Sequence, residues 1–198
     1  VKGRAAHGSR PDLGVDAIAK AGTFLVGLDA LGRALLASPT HPILGSGSVH
    51  ASLIRGGEEL SSYPARCVVS IERRTIPGET GETLRAELEA IVARAKAADP
   101  AFEAEVRIGL ERAPFEIAPS EPIVTALERA ATARLGHAPK RRGEPFWTDC
   151  AILAEAGIPC VMFGADGGGA HAAREWTTAS SVEALADILE ATARDFCG

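Results

Sequence analysis

Aromatic residues, paired cysteines and long apolar runs are scarce in this sequence. Phenylalanine, tryptophan and tyrosine make up 5% of the 198 residues, and the four cysteines form no C-x-x-C pair. No apolar run approaches the roughly 18 residues that span a bilayer, and no basic-then-apolar leader is present. These absences argue against a disulfide scaffold and a transmembrane helix, and they predict reduced thiols in a cytoplasmic protein.

An excess of charge of either sign is also missing. Lys and Arg total 21 against 26 for Asp and Glu, which gives a net charge of −5 without a long run of one sign. This balance argues against nucleic acid or an anionic membrane as the main partner and favours a small molecule. Hydrophobic residues make up 46% of the chain, enough for one or two cores.

Periodicity in residues 1–113 predicts an α+β domain. Helical spacing of apolar residues recurs from Ile18 to Leu35 and from Thr80 to Ala98. Strands are expected over four segments, which are 1–6, 48–54, 67–72 and 102–110. The resulting order βαββαβ is that of a ferredoxin-like domain with its helices on one face of the sheet.

Residues 114–198 begin with a stretch that contains Pro114 and Pro119, and they predict a different unit. Ser120 and Pro122 open a helix, 151–156 forms a short one, and Ser180 with Glu183 forms a capping box for the last helix. The apolar run 158–163 does not alternate, as is typical of a strand covered on both faces in a parallel sheet. A single parallel strand needs neighbours, and the chain begins with Val1 rather than Met. We therefore expect a partial α/β domain whose remaining strands come from upstream sequence or another chain.

His171 is the first candidate for chemistry. It follows the apolar run 158–163 and the glycine-rich loop 164–169, where α/β folds bind ligands beyond the carboxyl ends of their strands. This position suits a ligand or catalytic histidine and equally a solvent-exposed loop histidine. The loop lacks the G-x-x-x-x-G-K-[ST] pattern of a phosphate cradle, and the chain has no G-x-S-x-G elbow of a serine hydrolase.

The remaining polar candidates each have an ordinary structural interpretation. His7 at a strand end suits a surface residue, and the pair Arg73-Arg74 suits a solvated charge pair. Asp149 suits a helix N-cap as well as a site residue. Glu175 suits a surface carboxylate.

Four sequence segments, taken together and in their order along the chain, favour functional roles for these residues over the ordinary structural interpretations. They are GRAAHGSRP at 3–11, GGEELSSYP at 56–64, ERRTIPGE at 72–79, and WTD at 147–149 followed by GIP at 157–159, FG at 163–164 and HAARE at 171–175. Together they resemble the M20-type metallopeptidases and deacetylases, which include acetylornithine deacetylase, succinyl-diaminopimelate desuccinylase and carboxypeptidase G2. The resemblance covers nearly the whole chain.

The resemblance implies a division at about residue 113. Residues 1–113 match the ferredoxin-like lid or dimerisation domain, and residues 114–198 match the C-terminal part of the α/β zinc-peptidase-like catalytic domain. Such an enzyme is a homodimer joined through its lids. It carries two Zn²⁺ ions, with Co²⁺ as an alternative.

The resemblance also assigns roles to individual residues. His7 matches a lid histidine that reaches the partner's active site and hydrogen-bonds the carbonyl oxygen under attack. Arg74 matches an arginine that holds a substrate carboxylate, a task suited to a guanidinium. His171 matches a zinc ligand, and Glu175 a residue that orients the His171 loop. Substrate-lining positions are matched by Ser61, Thr148 and Gly168.

The sequence departs from the family pattern in two respects, which are the residues expected to line the substrate and the metal-binding motifs that these residues lack. Ser61 stands where many relatives have Asn, Phe146 and Trp147 stand where they have glycines, and Glu72 replaces a common Asp. A narrower, more aromatic substrate pocket is expected. The H-x-D metal motif, the bridging aspartate and the Glu-Glu pair of the family are not found in these residues, so the 198 residues alone are expected to be inactive.

The leading hypothesis is a metal-dependent hydrolase that cleaves the amide bond of N-acyl amino acids or small peptides. The first alternative is a non-catalytic dimerisation or binding module derived from the same scaffold. A second alternative, a ferredoxin-like regulatory domain that binds amino acids, accounts for residues 1–113 but not for the later segments.

Overall fold

A division between Ala113 and Pro114 separates the chain into two units in the computed structural model, which describes residues 1–198. Unit 1 is Val1–Ala113 and unit 2 is Pro114–Gly198. The division falls within the proline-containing connector that ends the alternating segment 102–110. None of the helices is long and apolar enough to cross a membrane.

Unit 1 contains two long helices and a hairpin. Its elements in chain order are α1 Ala17–Ala37, β1 Ser48–Gly56, β2 Cys67–Arg74 and α2 Gly81–Ala98. Asp16 caps α1 by accepting hydrogen bonds from two backbone N–H groups, and Thr80 caps α2 in the same way through one. The strands β1 and β2 are antiparallel, and a bulge interrupts their register between Ala51 and Leu53.

Two further segments extend this sheet without forming strands. Lys2 makes antiparallel bridges with Arg66 on one side and with Glu103 on the other. The order across the sheet is therefore the segment at 103, the segment at 2, β2 and β1, which is the neighbour order of a split βαβ unit. The architecture of unit 1 is α+β with a small antiparallel sheet, as the sequence predicts.

The strands expected at 1–6 and 102–110 are reduced to bridges. Burial still alternates along the second segment, since Phe102 is buried and Glu103 is exposed. Beyond the bridge between Lys2 and Glu103, residues 104–110 have no ladder partner. The alternating pattern of 102–110 correctly predicted an alternation of buried and exposed residues, but it wrongly predicted that this segment pairs as a strand along its length.

The core of unit 1 lies between the helices and one face of the sheet. Phe24, Leu28, Ile91 and Phe102 form its largest cluster, and Cys67 packs against the start of α1. Ile18, expected on the buried side of α1, is 44% exposed, because the helix turns Ala17, Ala21, Phe24 and Leu28 inward instead. The other sheet face is left uncovered by the helices.

Unit 2 is mainly helical. Its elements are α3 Pro122–Leu135, α4 Cys150–Glu155, β3 Gly167–Gly168, β4 Trp176–Thr177 and α5 Ala179–Cys197. Helices α3 and α5 enclose a cluster of Leu127, Ala131 and Ile188, against which Val161 and Phe163 pack. The cap of α5 is Thr178, which accepts from Ser181 N–H, so the capping box expected at Ser180 is wrong.

The parallel strand expected at 158–163 is not present. The segment has no strand partner, and Ile158 and Met162 remain 51% and 43% exposed while the intervening Val161 faces the helices. A strand exists only through hydrogen bonds to a neighbour, and residues 114–198 offer none at this place. The sheets of unit 2 comprise only the two-residue pair β3–β4, so the catalytic-domain assignment of this unit stays a prediction.

Candidate substrate-binding and catalytic residues

His7 lies in a tight turn held against a second segment of unit 1. It forms an antiparallel bridge with Ser62, and the next backbone N–H, that of Gly8, donates to the Ser61 carbonyl oxygen at 2.6 Å. The turn is closed by a hydrogen bond of 2.8 Å from Arg10 N–H to the His7 carbonyl oxygen. The structure therefore brings together two residues that the sequence singles out separately, His7 and Ser61.

The His7 imidazole has one occupied and one free nitrogen. Its Nδ1 lies 2.8 Å from the Ser9 hydroxyl oxygen and accepts a hydrogen bond of 3.2 Å from the Ser9 backbone N–H. Its Nε2 has no hydrogen-bond partner, and the residue is exposed. The ring is held from one side while the other side faces solvent.

Arg74 lies on the uncovered face of the sheet. Its Nη2 contacts Glu72 Oε1 at 2.7 Å, and the other carboxylate oxygen of Glu72 lies 3.6 Å from Nε2 of His50. His50 pairs with Glu72 across β1 and β2, so all three side chains share one face. The Arg74 side chain is 48% exposed, and part of its N–H fork remains available to a carboxylate ligand.

His7 and Arg74 are not neighbours within this unit. Ser62 lies opposite His7, and Arg74 follows twelve residues later at the far end of β2. The stretch from Cys67 to Arg74 alone covers about 25 Å at roughly 3.3 Å per residue. The two predicted site residues therefore mark opposite ends of the sheet.

His171 occupies the tip of a hairpin formed by β3 and β4. It is the single non-glycine residue of the chain with a positive φ, 60°. Gly169 before it has a φ of 76°, and a Cβ there would lie 2.1 Å from the Arg174 carbonyl oxygen. Strained backbone of this kind in a non-glycine residue is uncommon and is concentrated at functional sites.

Gly168 lies on the strand side of the same hairpin. It pairs with Trp176, and a Cβ on Gly168 would lie 3.2 Å from the indole Nε1. The absence of a side chain thus leaves room for the half-exposed Trp176 ring beside the His171 loop.

The other unit 2 candidates make few contacts. The Thr148 carbonyl oxygen accepts from Ala151 N–H at 3.1 Å, and Asp149 precedes α4 without a side-chain cap hydrogen bond. The Glu175 carboxylate makes no hydrogen bond or ion pair, so its expected role in orienting the His171 loop stays a prediction.

The side chains of residues 1–198 do not by themselves fit a zinc centre. No three His, Cys, Asp or Glu side chains are grouped closely enough to hold a metal ion. A zinc site takes about four ligands, of which three or more come from the protein. His171 is exposed and belongs to no such group, so a metal centre at this residue requires ligands from outside these residues.

Three residues near the candidates were not singled out by the sequence. Ser9 contacts the His7 ring, His50 shares the Glu72 carboxylate with Arg74, and Trp176 packs over Gly168. His50 depends on the register of β1 and β2, which a single sequence does not contain. Ser9 was detectable, because a serine two residues beyond a histidine in a turn is placed to bond back to it.

Comparisons with known proteins identify a family and a relative that this chain resembles. The family model described as the peptidase dimerisation domain of the M20 peptidases matches residues 1–100. Acetylornithine deacetylase from Myxococcus xanthus is 29% identical over 205 residues, covering 100% of this chain and 51% of that protein.

Two solved structures share the fold. Aminopeptidase PepT from Bacillus cereus superposes with a TM-score of 0.72 at 20% identity, over 100% of this chain and 50% of that one. An M20 family metallo-carboxypeptidase from Sulfolobus solfataricus gives a TM-score of 0.60 at 14% identity, over 97% of this chain and 54% of that one. The chain spans about half the length of the relatives it matches.

Unit 1 has an α+β fold, and the peptidase dimerisation domain matches its residues 1–100. The chain belongs to the M20 peptidase family, and residues 1–100 are its peptidase dimerisation domain. This confirms the resemblance derived from the four ordered motifs.

Proposed function

We propose that the protein containing this chain is a metal-dependent hydrolase that cleaves the amide bond of N-acyl amino acids or small peptides. The relatives include a deacetylase, an aminopeptidase and a metallo-carboxypeptidase, and each of these names describes hydrolysis of an amide bond. The observation that carries the proposal is the His7 turn, which presents an unpartnered ring nitrogen at a fixed position in the dimerisation domain.

His7 stabilises the transition state in this proposal. When water attacks an amide carbonyl, negative charge develops on the oxygen, and a donor held in place before the reaction stabilises that charge without reorganising. Loss of one such donor costs about 3 to 4 kcal/mol in the transition state. Ser61, whose carbonyl oxygen anchors the turn, lies beside the same position and lines the substrate.

Arg74 binds a substrate carboxylate. A guanidinium offers five N–H donors in a planar fork, and Glu72 occupies only part of this fork. N-acyl amino acids and peptides with a free C-terminus carry such a carboxylate, so Arg74 would favour them as substrates. Thr148 and Gly168 line the substrate in unit 2.

His171 is the one residue of this chain that is proposed to bind the metal. Two zinc ions, with cobalt as the alternative, would supply an activated water in the intact protein. No three His, Cys, Asp or Glu side chains of residues 1–198 are grouped closely enough to hold a metal ion, so the proposal routes no catalytic step through the metal. Unit 2 is proposed to be the C-terminal part of the catalytic domain, in a cytoplasmic homodimer joined through unit 1.

The test is the His7→Ala substitution in the intact protein. Turnover of N-acetyl amino acids is expected to fall about a hundredfold or more, with unchanged metal content, because only a transition-state donor is removed. His137→Ala is the matched control, since His137 is exposed and its ring contacts only the neighbouring Ala138 carbonyl oxygen. Equal turnover in wild type and His7→Ala would refute the role of His7. An intact protein that lacks both metal and amidase activity would favour the alternative, a non-catalytic dimerisation module.

A further inference from the structure

The contacts of His7 define which of its ring nitrogens carries the proton. A neutral imidazole has one N–H donor and one acceptor nitrogen. The backbone N–H of Ser9 is always a donor, and it points at Nδ1 from 3.2 Å. This contact favours Nδ1 as the acceptor, and the Ser9 hydroxyl at 2.8 Å strengthens the preference by donating to the same lone pair.

We infer that Ser9 is a positioning residue that selects the Nε2–H tautomer of His7 and aims that N–H away from the turn. Its catalytic consequence rests on the function proposed above. With the proton on Nε2, the free side of the ring is a hydrogen-bond donor, as a developing oxyanion requires. With the proton on Nδ1, the same side would present a lone pair and repel the oxyanion.

The backbone around Ser9 is built to keep this contact. The hydrogen bond from Arg10 N–H to the His7 carbonyl oxygen closes the turn, and Gly8 is tied to the Ser61 carbonyl oxygen. A Cβ on Gly8 would approach that oxygen to 3.0 Å, so the turn lies tightly against the neighbouring segment. Ser9 is thereby held two residues beyond His7 with both its N–H and its hydroxyl within reach of Nδ1.

The tautomer is measured directly by two-bond proton–nitrogen correlation spectra of the 198-residue chain with labelled histidine. The spectra are recorded at about pH 8.5, and they distinguish the two neutral tautomers from the doubly protonated ring directly. The His7 signals are identified by their loss in His7→Gln. We expect a protonated Nε2 and an unprotonated Nδ1 in the wild type. A protonated Nδ1 on His7 would overturn the inference.

The variant Ser9→Ala keeps the backbone donor and removes the hydroxyl. It is expected to show measurable Nδ1–H tautomer and, in the intact protein, a fall in kcat of about two- to tenfold at unchanged KM, the effect of losing one neutral hydrogen bond. Ser62→Ala is the matched control, because the Ser62 hydroxyl donates to Glu59 instead of the ring.

Two results separate this inference from the proposed function. Identical tautomer ratios and kcat in Ser9→Ala and wild type would refute the role of Ser9, whatever the effect of His7→Ala. If His7→Ala leaves turnover unchanged while the spectra show the Nε2–H tautomer, the tautomer assignment stands and the proposed function fails.

Discussion

Arg73 and Arg74 are adjacent in the sequence but lie on opposite faces of the sheet. The Arg73 side chain is 6% exposed and pairs with Glu79 at 2.5 Å and with Glu87 of α2 at 3.3 Å. Burial alone would lower the pKa of Arg73, but hydrogen bonds with the two carboxylates raise it overall. Arg73 also donates to the Arg74 carbonyl oxygen at 2.6 Å, so the buried arginine fixes the backbone of the exposed one.

Arg73→Met is therefore expected to destabilise unit 1 strongly. The substitution leaves Glu79 and Glu87 as buried or half-buried carboxylates without a counter-charge, which typically costs about 3 to 5 kcal/mol. Arg74→Met is the matched control and is expected to cost less than about 1 kcal/mol, since its ion pair is exposed. Urea unfolding of the two variants measures the difference, and equal losses would show that the Arg73 network does not stabilise the fold.

The contrast between the two arginines shows what the sequence could predict. Alternation along 67–72 correctly predicted two faces of different polarity, and the spacing of two residues places Glu72 and Arg74 on one face. The sequence did not reveal that Arg73 is buried, because its partners Glu79 and Glu87 reach it from a loop and from α2. A solvated charge pair was the wrong interpretation for Arg73, whereas Arg74 is half exposed and its role in substrate binding stays a prediction.

Arg74 is expected to govern substrate affinity more than the chemical step. In the intact protein, Arg74→Met removes a charge-assisted contact with a substrate carboxylate, worth about 1.5 to 3 kcal/mol, and should raise KM about 10- to 100-fold. Arg66→Met is the control, because Arg66 is an exposed arginine of the same domain remote from the end of β2. A substrate amide in place of the carboxylate should remove the difference between wild type and Arg74→Met; persistence of the full difference would contradict carboxylate binding.

The outer edge of β1 is expected to carry the dimer contact. One side of β1 pairs with β2, and its other side is an unpaired edge where Leu53 and Ile54 are more than half exposed. A charge placed on such an edge prevents pairing with a second chain. Ile54→Lys should shift the protein from dimer to monomer in sedimentation, whereas Leu110→Lys, at an exposed apolar residue outside β1, should not. A dimer that survives Ile54→Lys would place the contact elsewhere.

The unit 2 site was the least accessible to sequence reasoning. The segment 164–169 was expected to be a loop, but Gly167 and Gly168 within it form β3, which pairs with Trp176–Thr177. Strands of two residues are too short for periodicity to detect. The apolar run 158–163 was overinterpreted, because apolarity predicts burial while a strand also needs a neighbour. His171 was singled out by its position after the glycine-rich loop and by the family resemblance, and its role stays a prediction. Its positive φ is visible only in the structure.

Gly169→Ala is expected to disturb the His171 hairpin. The alanine Cβ would lie 2.1 Å from the Arg174 carbonyl oxygen, and the φ of 76° is unfavourable for any side chain, at a cost of about 1 to 3 kcal/mol. Gly164→Ala is the control, since a Cβ there meets nothing within 4 Å. In the intact protein, metal content per mole should fall in Gly169→Ala and stay constant in Gly164→Ala. Equal metal content in both would argue against His171 as a ligand that depends on this hairpin.

Acid is expected to weaken unit 1 partly through Asp99, which ends α2. Its carboxylate accepts a hydrogen bond from Lys20 of α1 and another, of 3.0 Å, from Ala101 N–H. The hydrogen bond from Lys20, followed by that from Ala101, lowers the pKa of Asp99 below its ordinary value. The stabilisation is therefore complete above the unfolded pKa of about 3.9 and is lost as the pH falls through the lower folded pKa.

Asp99→Asn tests this link between the two helices. Asparagine keeps the acceptor for Ala101 but loses the charge, so its melting temperature should lie below that of the wild type at pH 7, and the gap should close as the pH falls below about 4. Asp29→Asn is the control, because the Asp29–Arg33 pair is exposed within a single helix and such pairs contribute little. A gap that stays constant down to pH 2 would mean that Asp99 acts through something other than its charge, since a protonated aspartic acid and an asparagine are both neutral.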